Sequence, residues 1–89
     1  MAVSTIEKAQ RLDHSTNTYS GTKTIPSSGY LSLGNIGGSK FIISMIISSW
    51  GSNNGNPSLY LGSGNSLYLV GREGDSITNF SVRYNYYDN

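Results

Sequence analysis

The tetrapeptide Ser-Leu-Tyr-Leu occurs twice, at Ser58–Leu61 and Ser66–Leu69, with Gly62-Ser63-Gly64-Asn65 between the copies. Leu-Tyr-Leu alternates with a period of two, the pattern of a strand with one buried face. The Gly- and Asn-containing spacer suits a reversal of the chain. The pair therefore reads as a hairpin. Its register follows from keeping like side chains together, because a one-residue slip exchanges the two faces of a strand. A five-residue loop, Gly62–Ser66, pairs Leu61 with Leu67, Tyr60 with Tyr68 and Leu59 with Leu69. A four-residue loop would mix Leu and Tyr on both faces. The first register sends four leucines to a core and sets two tyrosines side by side on the other face, a cross-strand pair of about 0.2–1 kcal/mol.

The chain from His14 onward has the same strand-and-turn character. Thr16–Ile25 is a Thr-rich segment that reads as an edge strand with a break at Gly21. Pro26-Ser27-Ser28-Gly29 is a turn, Tyr30–Leu33 a short strand and Gly34–Ser39 a loop. Lys40–Ser49 is the strongest strand, Gly51–Pro57 a long polar loop and Gly71–Asp75 a charged turn. A last strand runs from Ile77 or Phe80 to Tyr87, with Phe80, Val82, Tyr84 and Tyr86 on one face. Short strands separated by turn signals predict an all-β fold, a small antiparallel sandwich of jelly-roll-like form. Within Lys40–Ser49, strict alternation places Phe41, Ile43, Met45 and Ile47 on one face and Ile42, Ser44 and Ile46 on the other. Both faces are then mainly apolar, and such a strand needs cover on both sides. A two-layer sandwich covers one, which predicts a homo-oligomer or cover from the N-terminal segment.

That segment differs from the rest. Ser4-Thr5-Ile6-Glu7 fits a capping box, and Lys8 to Leu12 are good helix formers. The expected organisation is a helix or stem over residues 1–15, with the helix from about Thr5 to Leu12, followed by a β-sandwich domain over residues 16–89. The first ten residues lack the apolar run of a signal peptide, and no stretch is long and apolar enough for a membrane helix. The expectation is a soluble chain with no membrane insertion. With 89 residues and no Cys, a single domain is expected, and it has neither a disulfide to stiffen it nor a thiol for catalysis or zinc. Charged residues make up 12% of the chain, the formal net charge is +1, and the six cations are scattered. A nucleic-acid partner, which needs a basic stripe, is therefore not expected.

Catalysis needs groups that converge. His14 is the one histidine, and no nucleophile elbow accompanies it. Of the five carboxylates only Glu73 and Asp75 are close in sequence, in a turn of solvated character. No spacing fits a metal site, and no cofactor is expected. The reading is non-enzymatic; a hydrolase site shared between subunits ranks last. Gly62-Ser63-Gly64 has no following helix to make it a phosphate loop, and Asn79-Phe80-Ser81 is a glycosylation sequon of a kind common by chance in such a composition. Binding is better served. Trp50 closes the strongest strand and opens a loop carrying Asn53, Asn54 and Asn56. An indole beside amide side chains suits a sugar, the ring covering its apolar face and the amides bonding its hydroxyls. Equally, Trp50 can cap the core above an ordinary long turn. Tyr60, Tyr68 and Tyr87 are candidates of the same kind, and Tyr60 and Tyr68 join Trp50 and the three asparagines in the expected ligand-binding set of six.

The run from Thr24 to Tyr87 resembles the C-terminal β-domains of phage tail and tail-fibre receptor-binding proteins. The features that carry the resemblance are Thr24-Ile25, Gly29-Tyr30-Leu31, the Ile-rich strand Ile42–Trp50, the tyrosine hairpin, and the ending Ile77-Thr78-Asn79-Phe80-Ser81-Val82-Arg83-Tyr84. It implies a jelly-roll-like sandwich, usually a homotrimer, located in the virion at the end of a fibre and touching a host-surface glycan or protein. It carries over no specific binding residue. Such domains normally follow a long shaft, whereas about fifteen residues precede the β region here, which suggests a separate small virion protein or an independent module. The expected function is a tail-tip or receptor-binding module; the alternative is a purely structural assembly or trimerisation domain.

Overall fold

A computed structural model describes residues 11–88 of the chain. The expected helix falls outside these residues except for Arg11 and Leu12, which lie in no regular element. Seven strands follow in the order β1 Asp13–Thr24, β2 Tyr30–Asn35, β3 Lys40–Ser49, β4 Asn53–Asn54, β5 Ser58–Leu61, β6 Ser66–Val70 and β7 Ser76–Asp88. They form two antiparallel sheets. In the larger sheet β7 lies between β1 and β3, and β4 continues the line of β3 along β7. In the smaller sheet β6 lies between β2 and β5. The chain passes between the sheets at β1–β2, β2–β3, β4–β5 and β6–β7, giving the antiparallel sandwich that the strand and turn pattern predicted.

Alternation in each strand supplies the core. Phe80, Val82, Tyr84 and Tyr86 of β7 are buried from the larger sheet, and Leu67 and Leu69 of β6 from the smaller one. Leu31, Leu33, Leu59 and Leu61 of the flanking strands, with Tyr19, Ile42, Met45 and Ile47, pack around them. Tyr19 stacks on Phe80 with ring centroids 4.9 Å apart. The β5–β6 hairpin takes the register expected from the repeated tetrapeptide: Leu59 opposite Leu69, Tyr60 opposite Tyr68, Leu61 opposite Leu67.

One expectation is overturned. Strict alternation along β3 put Phe41 and Ile43 with Met45 and Ile47. A β-bulge between Ile42 and Ser44 changes the phase, so that Ile42 lies opposite Tyr86 and Met45 opposite Tyr84. Ile42, Met45 and Ile47 therefore face the core, while Phe41, Ile43 and Ile46 are exposed. Alternation assumes one residue per position; the bulge places two against one and reverses the faces beyond it.

A second irregularity crosses the whole larger sheet. β1 is bulged between Tyr19 and Thr22, with Gly21 at φ +81°. Asn79 of β7, beside it, has φ +52°, and its Oδ1 accepts from the Gly21 N–H at 2.8 Å. On the other side β3 breaks off, and Gly51 approaches the Thr78 carbonyl so closely that a Cβ would lie 2.2 Å from its oxygen. The polar loop expected over Gly51–Pro57 thus contains β4 and rejoins the sheet past the bend. The sequon asparagine is held in this bend by its side chain.

Phe80 is fully buried at the meeting of the sheets. Phe80→Ala is expected to cost about 3–5 kcal/mol, most of the stability of so small a domain, and to abolish cooperative urea unfolding. Tyr86 carries a pH signature. Burial, followed by the Asp13 and Asp88 carboxylates and Tyr84, raises its pKa above the ordinary 10.0. The folded state then keeps the phenol protonated where the unfolded chain ionises it. Stability from this group is complete below the ordinary value and is lost as pH rises through the folded one. In urea titrations, wild type should lose more stability than Tyr86→Phe above about pH 10; equal losses would contradict the assignment.

Candidate functional site

The smaller sheet buries its leucines and turns its tyrosines outward. Tyr60 and Tyr68 are directly opposed in the hairpin, and β2 adds a third ring: Ser32 lies opposite Tyr68 and Tyr30 opposite Val70, so Tyr30 is diagonal to Tyr68. The three rings contact one another. Tyr30 meets Tyr60 and Tyr68 edge-on, each at 6.0 Å between centroids, and Tyr60 and Tyr68 are 6.1 Å apart at 38°. These are the edge-to-face and offset arrangements that aromatic quadrupoles favour. With Gly62 and Ser63 the rings line a depression of about 460 Å³, open to solvent. No lining side chain is charged. The three hydroxyls make no hydrogen bond to protein among the described residues, and no buried polar side-chain atom there lacks a partner, so the phenols reach water.

The loop below the rings is built for close approach. The Gly62 N–H donates to the Ser66 carbonyl at 2.7 Å and closes the hairpin. A Cβ on Gly62 would lie 3.1 Å from Tyr68 Cε2 and 3.7 Å from Tyr60 Cε2, so glycine lets both rings lie down over the turn. A 3-10 turn, Ser63–Asn65, follows. Asn65, at φ +62°, donates from Nδ2 to the Gly37 and Lys40 carbonyls at 2.7 and 2.6 Å. Asn35 reaches back, its Nδ2 donating to the Gly64 carbonyl and its Oδ1 accepting from the Gly37 N–H. The two asparagines clamp the tyrosine hairpin to the β2–β3 loop and hold the aromatic face against the scaffold.

The other candidates lie elsewhere. Trp50 is exposed at the bend of the larger sheet, where its backbone N–H donates to the Asn79 carbonyl at 3.1 Å. It pairs with none of the tyrosines. Asn53 accepts from the Ser49 hydroxyl at 3.2 Å, and Asn54 donates to the Gly74 carbonyl at 3.3 Å. Both amides thus bond within the fold. Asn56 lines a second depression, of about 380 Å³, with Gly55, Gly71, Arg72 and Asp75. The Asp75 carboxylate there accepts from the Arg72 N–H at 3.2 Å. The six candidates therefore separate into the tyrosines on the smaller sheet and a Trp–Asn group along the larger one. Tyr30 was missed because the β2–β6 pairing spans more than thirty residues; its alternation with Leu31 was the one local signal.

His14 is exposed and lies opposite Asn85 on β7. Among the described residues no group of three or more His, Cys, Asp or Glu side chains is placed to hold a metal ion, and no helix is long and apolar enough to cross a membrane. Comparison of the chain with protein-family models, with curated proteins and with solved structures found no match.

Adding a methyl at Gly62 must displace Tyr68. Gly62→Ala is expected to change the near-ultraviolet circular dichroism of the tyrosines while the far-ultraviolet spectrum and the urea midpoint stay close to wild type. Unchanged tyrosine signals would show that the rings do not rest on Gly62.

Proposed function

We propose that this chain is a non-enzymatic recognition module of the phage or prophage tail-tip type, which contacts host-surface glycan through the outer face of its smaller sheet. The single observation that carries the reading is the cluster of Tyr30, Tyr60 and Tyr68. Tyrosine supplies large contact area at low entropic cost. A pyranose offers a flat C–H face for a ring and a rim of hydroxyls for hydrogen bonds; the phenols and Ser63 supply both donors and acceptors for that rim. An uncharged lining suits a neutral sugar better than a phosphate or an acidic peptide. A depression this open covers only one side of a ligand, so each site is weak, and repeated copies on one particle supply avidity. The sequence resemblance to tail and tail-fibre domains supports the same reading.

A second reading, a structural assembly domain, is favoured by one observation: Phe41, Ile43 and Ile46 are exposed along one strand. A glycan array probed with the full chain, with Tyr60→Ala and with Trp50→Ala separates the readings. Both side chains are exposed, so the variants should fold. The proposal expects Tyr60→Ala to weaken binding at least about tenfold, or ~1.4 kcal/mol, and Trp50→Ala to leave it unchanged. The opposite pattern would move the site to the bend of the larger sheet. No bound glycan, with cell attachment also missing, would favour the assembly reading.

A further inference from the structure

Phe41, Ile43 and Ile46 are 60%, 50% and 61% exposed, and neither the core nor the tyrosine cluster uses them. All three lie on β3, which pairs with β7 on one side and with no strand on its other side among the described residues. Long apolar edge strands are usually blunted by proline, by outward charge or by a bulge. β3 has no proline, and its one charged residue, Lys40, turns inward with Nζ over the Tyr86 ring at 5.2 Å. The bulge at Ile43 is the one device present, and it is selective. A regular strand laid along β3 can match its faces on one side of the bulge but not on both, because the phase reverses there.

A second β3, antiparallel and related by a two-fold axis, carries the same reversal at the same place. We infer that β3 is a homodimer edge, pairing with β3 of a second copy about an axis between Ile43 and Ser44. Phe41 then lies opposite Ile46 of the second copy, and Ile42 opposite its Met45. Outward residues meet outward ones, and core-facing residues meet core-facing ones. In an unbulged strand this pairing would set each outward residue against an inward one. The bulge makes β3 complementary to itself, which commits the edge to a copy of this chain, and the symmetry is the isologous kind of most homodimers. Three part-exposed apolar side chains fall short of the ~800 Å² per partner of a standard interface. The backbone ladder must contribute the rest, so the dimer belongs in the micromolar range. This two-fold contact differs from the three-fold arrangement that the tail-fibre resemblance implies, and it does not depend on glycan binding.

Sedimentation of the full chain from about 1 to about 200 μM tests the inference across the affinity range of a small interface. The expected result is a reversible shift toward twice the 9.6 kDa of one chain. Ile46→Lys, at an exposed position, should weaken dimerisation at least tenfold, about one decade in Kd, and leave the urea midpoint of the monomer unchanged. Register is read by cysteine pairing in this cysteine-free chain. Mixing Phe41→Cys with Ile46→Cys should give a mixed disulfide dimer, because directly opposed residues are within disulfide reach, in clear excess over either homodimer. A monomer throughout, a trimer, or random disulfide pairing would each overturn the proposal.

Discussion

The inner face of β7 against the inner face of β6 is the contact on which the rest of the structure depends. Phe80 and Val82 of β7 and Leu67 and Leu69 of β6 belong to one core cluster, and all four are fully buried. Both strands are central in their sheets, so every other strand is attached to the core through one of them. Burying a large apolar side chain contributes about 1.5–3 kcal/mol, and a chain without disulfides has few such residues. The outer strands are held mainly by hydrogen-bond ladders to these two and by half-buried side chains that rest on their edges. The domain is therefore cooperative around a narrow centre, and its edges are free to vary.

That narrow centre explains the division of labour between the sheets. The smaller sheet is regular apart from one bulge in β2, and its alternation is uninterrupted through β5 and β6. One face can therefore be wholly leucine and the other carry the tyrosine cluster. The larger sheet is bulged in both β1 and β3 and bent at Gly21, Asn79 and Gly51. The bulge in β3 leaves Phe41, Ile43 and Ile46 at the surface. The tyrosine cluster and the exposed apolar side chains of β3 thus lie on different sheets.

The hairpin of Tyr60 and Tyr68 was legible because its two strands are adjacent in sequence and repeat the same four residues. Turn length and face matching sufficed for the register. The half-buried pattern of Phe80, Val82, Tyr84 and Tyr86 was legible for the same reason: period-two alternation needs no partner to be read. Two features were not. Tyr30 joins the cluster through a pairing with β6 that no local pattern announces. The fate of the Trp50 loop depended on whether Asn53 and Asn54 would face a ligand or bond to Ser49 and Gly74, and an amide is equally competent for either.

The sequence alone determined six of the seven strands, most of their turns and the choice of an antiparallel sandwich, since alternation and turn chemistry act over a few residues; the short β4 lay inside a stretch read as loop. It also determined that a chain with so few charges must present Tyr, Ser and Asn to its surroundings. Tertiary structure decided which faces those strands show. The phase of β3 hangs on one extra residue opposite β7, and a bulge is a property of the pair of strands, written in neither alone. The same holds for the aromatic site: two of its rings are neighbours along the chain, and the third arrives only when β2 folds against β6.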